Sequence, residues 1–165
     1  MKIIIAVASA ALILAILLDA FEMLSGQFSD TGLIIVIMQS LDTPYGSRIR
    51  SRIHALGNRV IVMERSGESF IPVLEQSDVF VRATRNDGGP SLSVLEALSL
   101  GRWCVASDAV PRPASCLMFK NRDAVDLARA LSEALERAHR GEQQQPVTFP
   151  SAVDALIPLY RQFLS

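Results

Sequence analysis

The sequence predicts a doubly wound α/β domain built on a parallel sheet, and three observations carry that expectation. Short apolar runs alternate with helical patterns at least five times along the chain. The runs are apolar without polar alternates, as in Leu33-Ile34-Ile35-Val36-Ile37-Met38, which marks strands covered on both faces. The connections between them are long enough for the helical crossovers that parallel pairing requires. A length of 165 residues suits one domain of about 150 residues.

The elements follow in order. Behind Lys2, Ile3 to Leu18 are apolar except for Ser9. A strand is expected over 2–7 and a helix over 10–25, because Leu17, Phe21 and Leu24 continue at helical spacing past Asp19 and Glu22 and stop at Ser25-Gly26. The same run imitates a membrane anchor through residues 3–18. It is shorter than a span of about 18 residues or more, and its small residues Ala8-Ser9-Ala10 precede the richest apolar stretch instead of following it. The expected location is therefore cytoplasmic, with membrane anchoring as the alternative. Residues 33–38 give the next strand, and 41–46 reads as a loop punctuated by Asp42, Pro44 and Gly46. Ile49, Ile53 and Leu56 form a helical stripe closed by Gly57. A strand over 59–63 precedes a helix capped by Ser66, carrying Phe70, Ile71 and Leu74 and ending near Ser77. Then come a strand over 78–81, a polar loop from Arg82 to Pro90, a helix from Ser91 to Leu100 stopped by Gly101, and strands at 103–106 and 117–119.

Asp123 to His139 is amphipathic. Val125, Ala128, Leu131, Leu135 and Ala138 share one face, with Glu133–Arg137 and Glu136–Arg140 as i,i+4 pairs on the other. The domain proper is thus expected over 1–139, a polar linker over 140–150, and over 151–165 an apolar helical face that must cover its own domain or a partner.

Sixteen basic residues against seventeen acidic ones leave a net charge of −1, which supplies no general field for a nucleic acid or an anionic membrane. Cys104 and Cys116 sit in apolar runs without a CxxC neighbour and read as buried free thiols. His54 and His139 lie among arginines on polar helix faces. That placement argues against metal ligation and against a histidine-based catalytic constellation.

Chemistry concentrates in the stretch from Arg82 to Glu96, which leaves a buried strand and opens a helix. Free backbone N–H groups and the helix dipole attract phosphate there. Gly88 and Gly89 allow close backbone approach, and Ser91 and Ser93 add hydroxyls in the first turn. Glu96 interrupts an otherwise apolar helix, where a carboxylate can accept the two hydroxyls of a ribose; the competing reading is a capped turn with Glu96 reaching solvent. Neither GxGxxG nor GxxxxGK[ST] is present.

The stretch SDVFVRATRNDGGPSLSVLEALSLGRWCVASDAVPRP resembles the donor-binding core of retaining family 4 glycosyltransferases of the GT-B fold. Asp87-Gly88 precedes Glu96-Ala97-Leu98 and Gly101, and Val105-Ala106-Ser107-Asp108 follows. The resemblance extends loosely over 17–139, through Leu17-Leu18-Asp19-Ala20-Phe21 and Asn58-Arg59-Val60. It implies one Rossmann-like half of a GT-B enzyme that binds a nucleotide-sugar donor without metal or further cofactor. By the same resemblance Glu96 holds the ribose hydroxyls, and Gly89, Pro90, Ser91, Leu92 and Ser93 present amides to the diphosphate or sugar. Asp87 stands nearest the first acidic position, which meets the sugar, and Glu64 and Arg65 lie where the base docks.

Two departures stand out. The position eight before Glu96 is Gly88, with Asp87 one further back. The Arg and Lys that relatives place after their first strand correspond here to Val7 and Leu12, so that charge must come from elsewhere, with Arg85 favoured over Arg82. The implied function is the donor-binding half of an enzyme that transfers a hexosyl unit to a carbohydrate or lipid-linked acceptor. A missing or separate acceptor-binding domain would be needed for turnover. The rival reading is a degenerate, non-catalytic domain that scaffolds a polysaccharide-synthesis complex.

Overall fold

The computed structural model of the chain describes residues 1–8, 11–37, 41–64, 70–84, 87, 89 and 91–149. Its strands are β1 (Lys2–Ala8), β2 (Thr31–Ile37), β3 (Val60–Glu64), β4 (Val79–Arg82), β5 (Trp103–Ser107) and β6 (Leu117–Phe119). Its helices are α1 (Ala11–Leu24), α2 (Pro44–Ala55), α3 (Ile71–Leu74), α4 (Leu92–Ser99) and α5 (Ala124–His139). The strands form one parallel sheet in the order β3-β2-β1-β4-β5-β6. The doubly wound, Rossmann-like expectation therefore holds.

Alternation along the strands divides the core in two. Ile4, Ala6, Leu33, Ile35, Val79 and Val81 pack against Leu17, Leu18 and Phe21 of α1 and Leu127, Leu131 and Leu135 of α5. Ile5, Val7, Phe80, Cys104 and Ala106 point the other way, to Leu74 of α3 and Val94, Ala97 and Leu98 of α4. Residues 3–8 and 11–18 thus supply a central strand and the first turns of a core helix. Among the described residues no helix is long and apolar enough to cross a membrane.

Three local expectations change. The expected loop 41–46 ends at Thr43, because Pro44 begins α2. The Thr43 side chain accepts the Gly46 N–H at 2.9 Å, and proline in the first turn loses no hydrogen bond. The helix around Leu74 is a single turn, and its expected cap, Ser66, lies outside the described residues. On α5, Glu133 and Arg137 pair at 2.6 Å, but Arg140 turns to Glu142 at 2.6 Å instead of Glu136. Asp123 caps this helix by accepting from the Val125 and Asp126 N–H groups.

Residues 140–149 lie along the α4 side. The Val147 N–H donates to Leu98 O at 3.0 Å, Trp103 Nε1 to Glu142 O at 3.2 Å and Gln144 Nε2 to Ser115 O at 2.9 Å. Gly101 permits this approach. Its φ is +67°, and a Cβ there would stand 2.8 Å from Gln144 O. The expected helix over 151–165 lies outside the described residues.

Candidate functional site

The chain leaves β1 for the α1 face and leaves β4 for the α4 face, so the crevice of this sheet opens beyond the carboxyl ends of these two neighbours. Ala6 pairs with Val81, which sets Val7 beside Arg82 one step further along. Both belong to the α4 side, since Val7 packs there and Arg82 follows Phe80 by two residues. The side chain of Leu12 lies outside the described residues.

Arg82 grips Asp87 side-on, with Nη2 to Oδ1 at 2.8 Å and Nε to Oδ2 at 3.3 Å. Arg112, from the β5–β6 crossover, reaches the same Oδ2 with Nη2 at 2.8 Å, while its Nε donates to Ser107 O at 3.3 Å. The three side chains are 15%, 11% and 0% exposed in the order Arg82, Asp87, Arg112. Burial pushes the Asp87 carboxyl up, but the hydrogen bonds and charges of Arg82 and Arg112 outweigh it and hold the group below its ordinary range. Arg112 Nη1 is buried and donates to nothing among the described residues, which costs about 1–3 kcal/mol wherever it occurs. Arg112 was not singled out from the sequence. A readable signal was there in Pro111-Arg112-Pro113, a lone cation stiffened between prolines just past a strand end.

The loop beyond β4 is pinned by the buried Ser107. Its hydroxyl donates to Thr84 O at 3.0 Å and accepts the Thr84 N–H at 3.4 Å. Gly89 follows with φ +145°, a conformation that favours glycine. Ser91 then stands at the N-cap of α4 in an extended conformation without capping by its side chain, and its Oγ lies 2.8 Å from Ser93 Oγ. The N–H groups of Leu92 and Ser93 find no acceptor among the described residues, so the first turn presents open donors and the positive end of the helix dipole. The Leu92 side chain is 75% exposed.

Glu96 sits one turn further along α4. It borders a groove of about 480 Å³ lined with Ile71, Leu95, Leu100, Val147 and Phe149. Burial raises its carboxyl above the ordinary value, and no donor among the described residues satisfies it. A half-buried carboxylate without a partner, about 6 Å along the axis from an open helix N-terminus, can take hydroxyls from a ligand whose phosphates sit at that terminus.

Of the other sequence candidates, Arg65, Arg85, Gly88 and Pro90 lie outside the described residues. So does the side chain of Glu64, whose backbone ends β3. Cys104 and Cys116 are buried free thiols, as expected, and they are also neighbours: their strand register sets them opposite one another, one residue before Val105 and Leu117. His139 is exposed, as expected for a polar helix face. It packs on Phe28 and contacts Asp30 at 3.2 Å. No group of three or more potential metal ligands occurs among the described residues.

A second cavity, about 580 Å³, lies elsewhere, at the β3 edge between α2 and the sheet, lined by Leu41, Arg50, Ile53, His54 and Val62. It is the less suited to phosphate. It stands off the switch point, and the Arg50 guanidinium is engaged by Asp42 at 2.9 Å.

The family model described as Glycosyl transferases group 1 matches residues 3–137. Solved structures agree in fold. A glycosyltransferase from Rickettsia africae ESF-5 is 14% identical over 84% of this chain, with a TM-score of 0.71. A trehalose-6-phosphate structure from E. coli, bound with UDP-2-fluoro glucose, is 17% identical over 82% of the chain, with a TM-score of 0.63. This chain spans only 38% and 36% of those two. The catalytic domain of cholesterol-alpha-glucosyltransferase from Helicobacter pylori is 18% identical over 86% of this chain and 90% of its own, with a TM-score of 0.64. At such identities the likeness establishes the fold alone. A comparison with curated proteins gave no match.

Proposed function

Because the chain belongs to the group 1 glycosyl transferases, a family that acts on nucleotide-sugar donors, we propose that it binds such a donor at the β1–β4 switch point and serves as the donor half of a hexosyltransferase. One observation carries the reading: an unpartnered, half-buried Glu96 stands one turn from the open N-terminus of α4. In this arrangement the Leu92 and Ser93 amides meet the diphosphate, Glu96 accepts the ribose diol, and Gly89 lets the phosphates approach the backbone. Transfer to a carbohydrate or lipid-linked acceptor then requires an acceptor-binding surface beyond these elements. The UDP-sugar held by the E. coli relative supports the ligand class and leaves the base of this chain's donor open.

Titration of the full chain with uridine, adenosine and guanosine diphosphates tests the reading. Saturable binding to one of them, lost in Glu96→Ala, is the expected result; no binding of any at millimolar concentration would sink it. The second reading is a domain that binds a donor without turnover or acts only in a complex. It is favoured by the engagement of both Asp87 oxygens by arginines and by the apolar Val7. Binding without release of free sugar or transfer, even with an acceptor domain added, would select it.

A further inference from the structure

Arg82, Asp87 and Arg112 place two guanidinium groups on one carboxylate, so the cluster holds one positive charge in excess. A side-on Arg82–Asp87 pair alone would be neutral. The wholly buried Arg112 keeps the cluster cationic, and its Nη1 is left without an acceptor among the described residues. Arg82 is the member placed to meet a ligand. It ends β4 at the switch point, on the same sheet face as α4, and retains some exposure. Asp87 stands four residues before the α4 cap, so the cluster and the open helix N-terminus belong to one loop.

On the reading of this chain as a donor-binding domain, we propose that Arg82 contacts the diphosphate of the donor, and that Arg112 is a positioning residue whose charge, held on Asp87, makes that contact attractive. Asp87 is then the bridge that joins the two cations, not a group that meets the sugar. A phosphate fits because it is the anion that a guanidinium and free helix amides bind together. The chain's overall charge of −1 offers no broader field to do the same work.

The charge count makes the proposal testable, with uridine, adenosine and guanosine diphosphates and the matching phosphate-free nucleosides as probes on the full chain. Arg112→Met makes the cluster neutral and is expected to weaken diphosphate binding about tenfold or more, leaving nucleoside binding unchanged. Arg112→Lys keeps the charge and most of the affinity. Arg112→Met combined with Asp87→Asn returns the cluster to one positive charge and recovers binding, which a merely structural role for Arg112 does not predict. If Arg112→Met does not fold, Arg82→Met carries the same expectation, since it also leaves a neutral pair. Wild-type diphosphate affinity in a folded Arg112→Met or Arg82→Met protein overturns the inference and leaves the donor reading standing, as does a double variant no tighter than the single. A wild-type chain that binds no nucleoside diphosphate overturns both.

Discussion

Strands β1 and β4 lie side by side and end in opposite chemistry. β1 runs out through Ala6 and Val7, apolar and packed, whereas β4 runs out through Arg82 into a loop tied by Asp87, Arg112 and Ser107. In a sheet of this topology both ends border the same crevice. The difference teaches that, on the proposed donor reading, ligand electrostatics are one-sided: the β1 end supplies shape, and the β4 end supplies charge and hydrogen-bond donors.

The contrast breaks most visibly at Asp87. Asp87→Ala leaves the buried Arg112 without its carboxylate and should cost about 3 kcal/mol of stability by chemical denaturation. A loss below about 1 kcal/mol would mean that the cluster is not holding the loop. This contribution is pH-dependent. The folded carboxyl is held below its unfolded value, so its stabilisation is complete above the ordinary carboxylate range and disappears as pH falls through the folded value. On the β1 side, Val7→Ala should cost about 2 kcal/mol through lost packing alone, with no pH dependence. A pH-dependent loss at Val7 would show that the two ends are not separate.

Glu96 sharpens the comparison through the opposite sign. Burial raises its carboxyl, so the folded state resists the charged form, and stability is greatest below the ordinary carboxylate range and declines as pH rises through the raised value. Glu96→Gln should remove that decline in a denaturation series across pH. Nucleoside diphosphate binding, which uses the charged form, should weaken on acidification sooner than an ordinary glutamate would allow; a flat profile would place the ribose elsewhere. The smallest effect belongs far from the crevice. Glu133→Ala breaks an exposed pair with Arg137 on α5 and should change stability by less than about 0.5 kcal/mol and binding not at all.

Much of the fold was legible because periodicity is local. The alternation of Ile3–Val7, Leu33–Ile37 and Val79–Val81 with amphipathic helices carries the parallel sheet, and the apolar stripe from Val125 to Ala138 announces α5. Pro44 misled because proline opens a helix as readily as it marks a loop. The site was half legible. The helix opening after Ser91 and the odd Glu96 can be read from one stretch of chain, while the Asp87–Arg112 contact joins residues 25 apart through a crossover, which no spacing rule registers. The facing of Cys104 and Cys116 escaped for the same reason, since it depends on strand register. Gly101 reads as a helix stop from the sequence, whereas its closeness to Gln144 needed the fold.

The central claim, that the β4 side of the switch point holds the donor, is tested most directly by following backbone amide resonances of the full chain during titration with nucleoside diphosphates. The account predicts saturating shifts centred on Thr84, Asp87, Gly89, Leu92, Ser93 and Glu96. Shifts centred instead on Arg50, Ile53 and His54 at the β3-edge cavity, or none at saturating ligand, would contradict it.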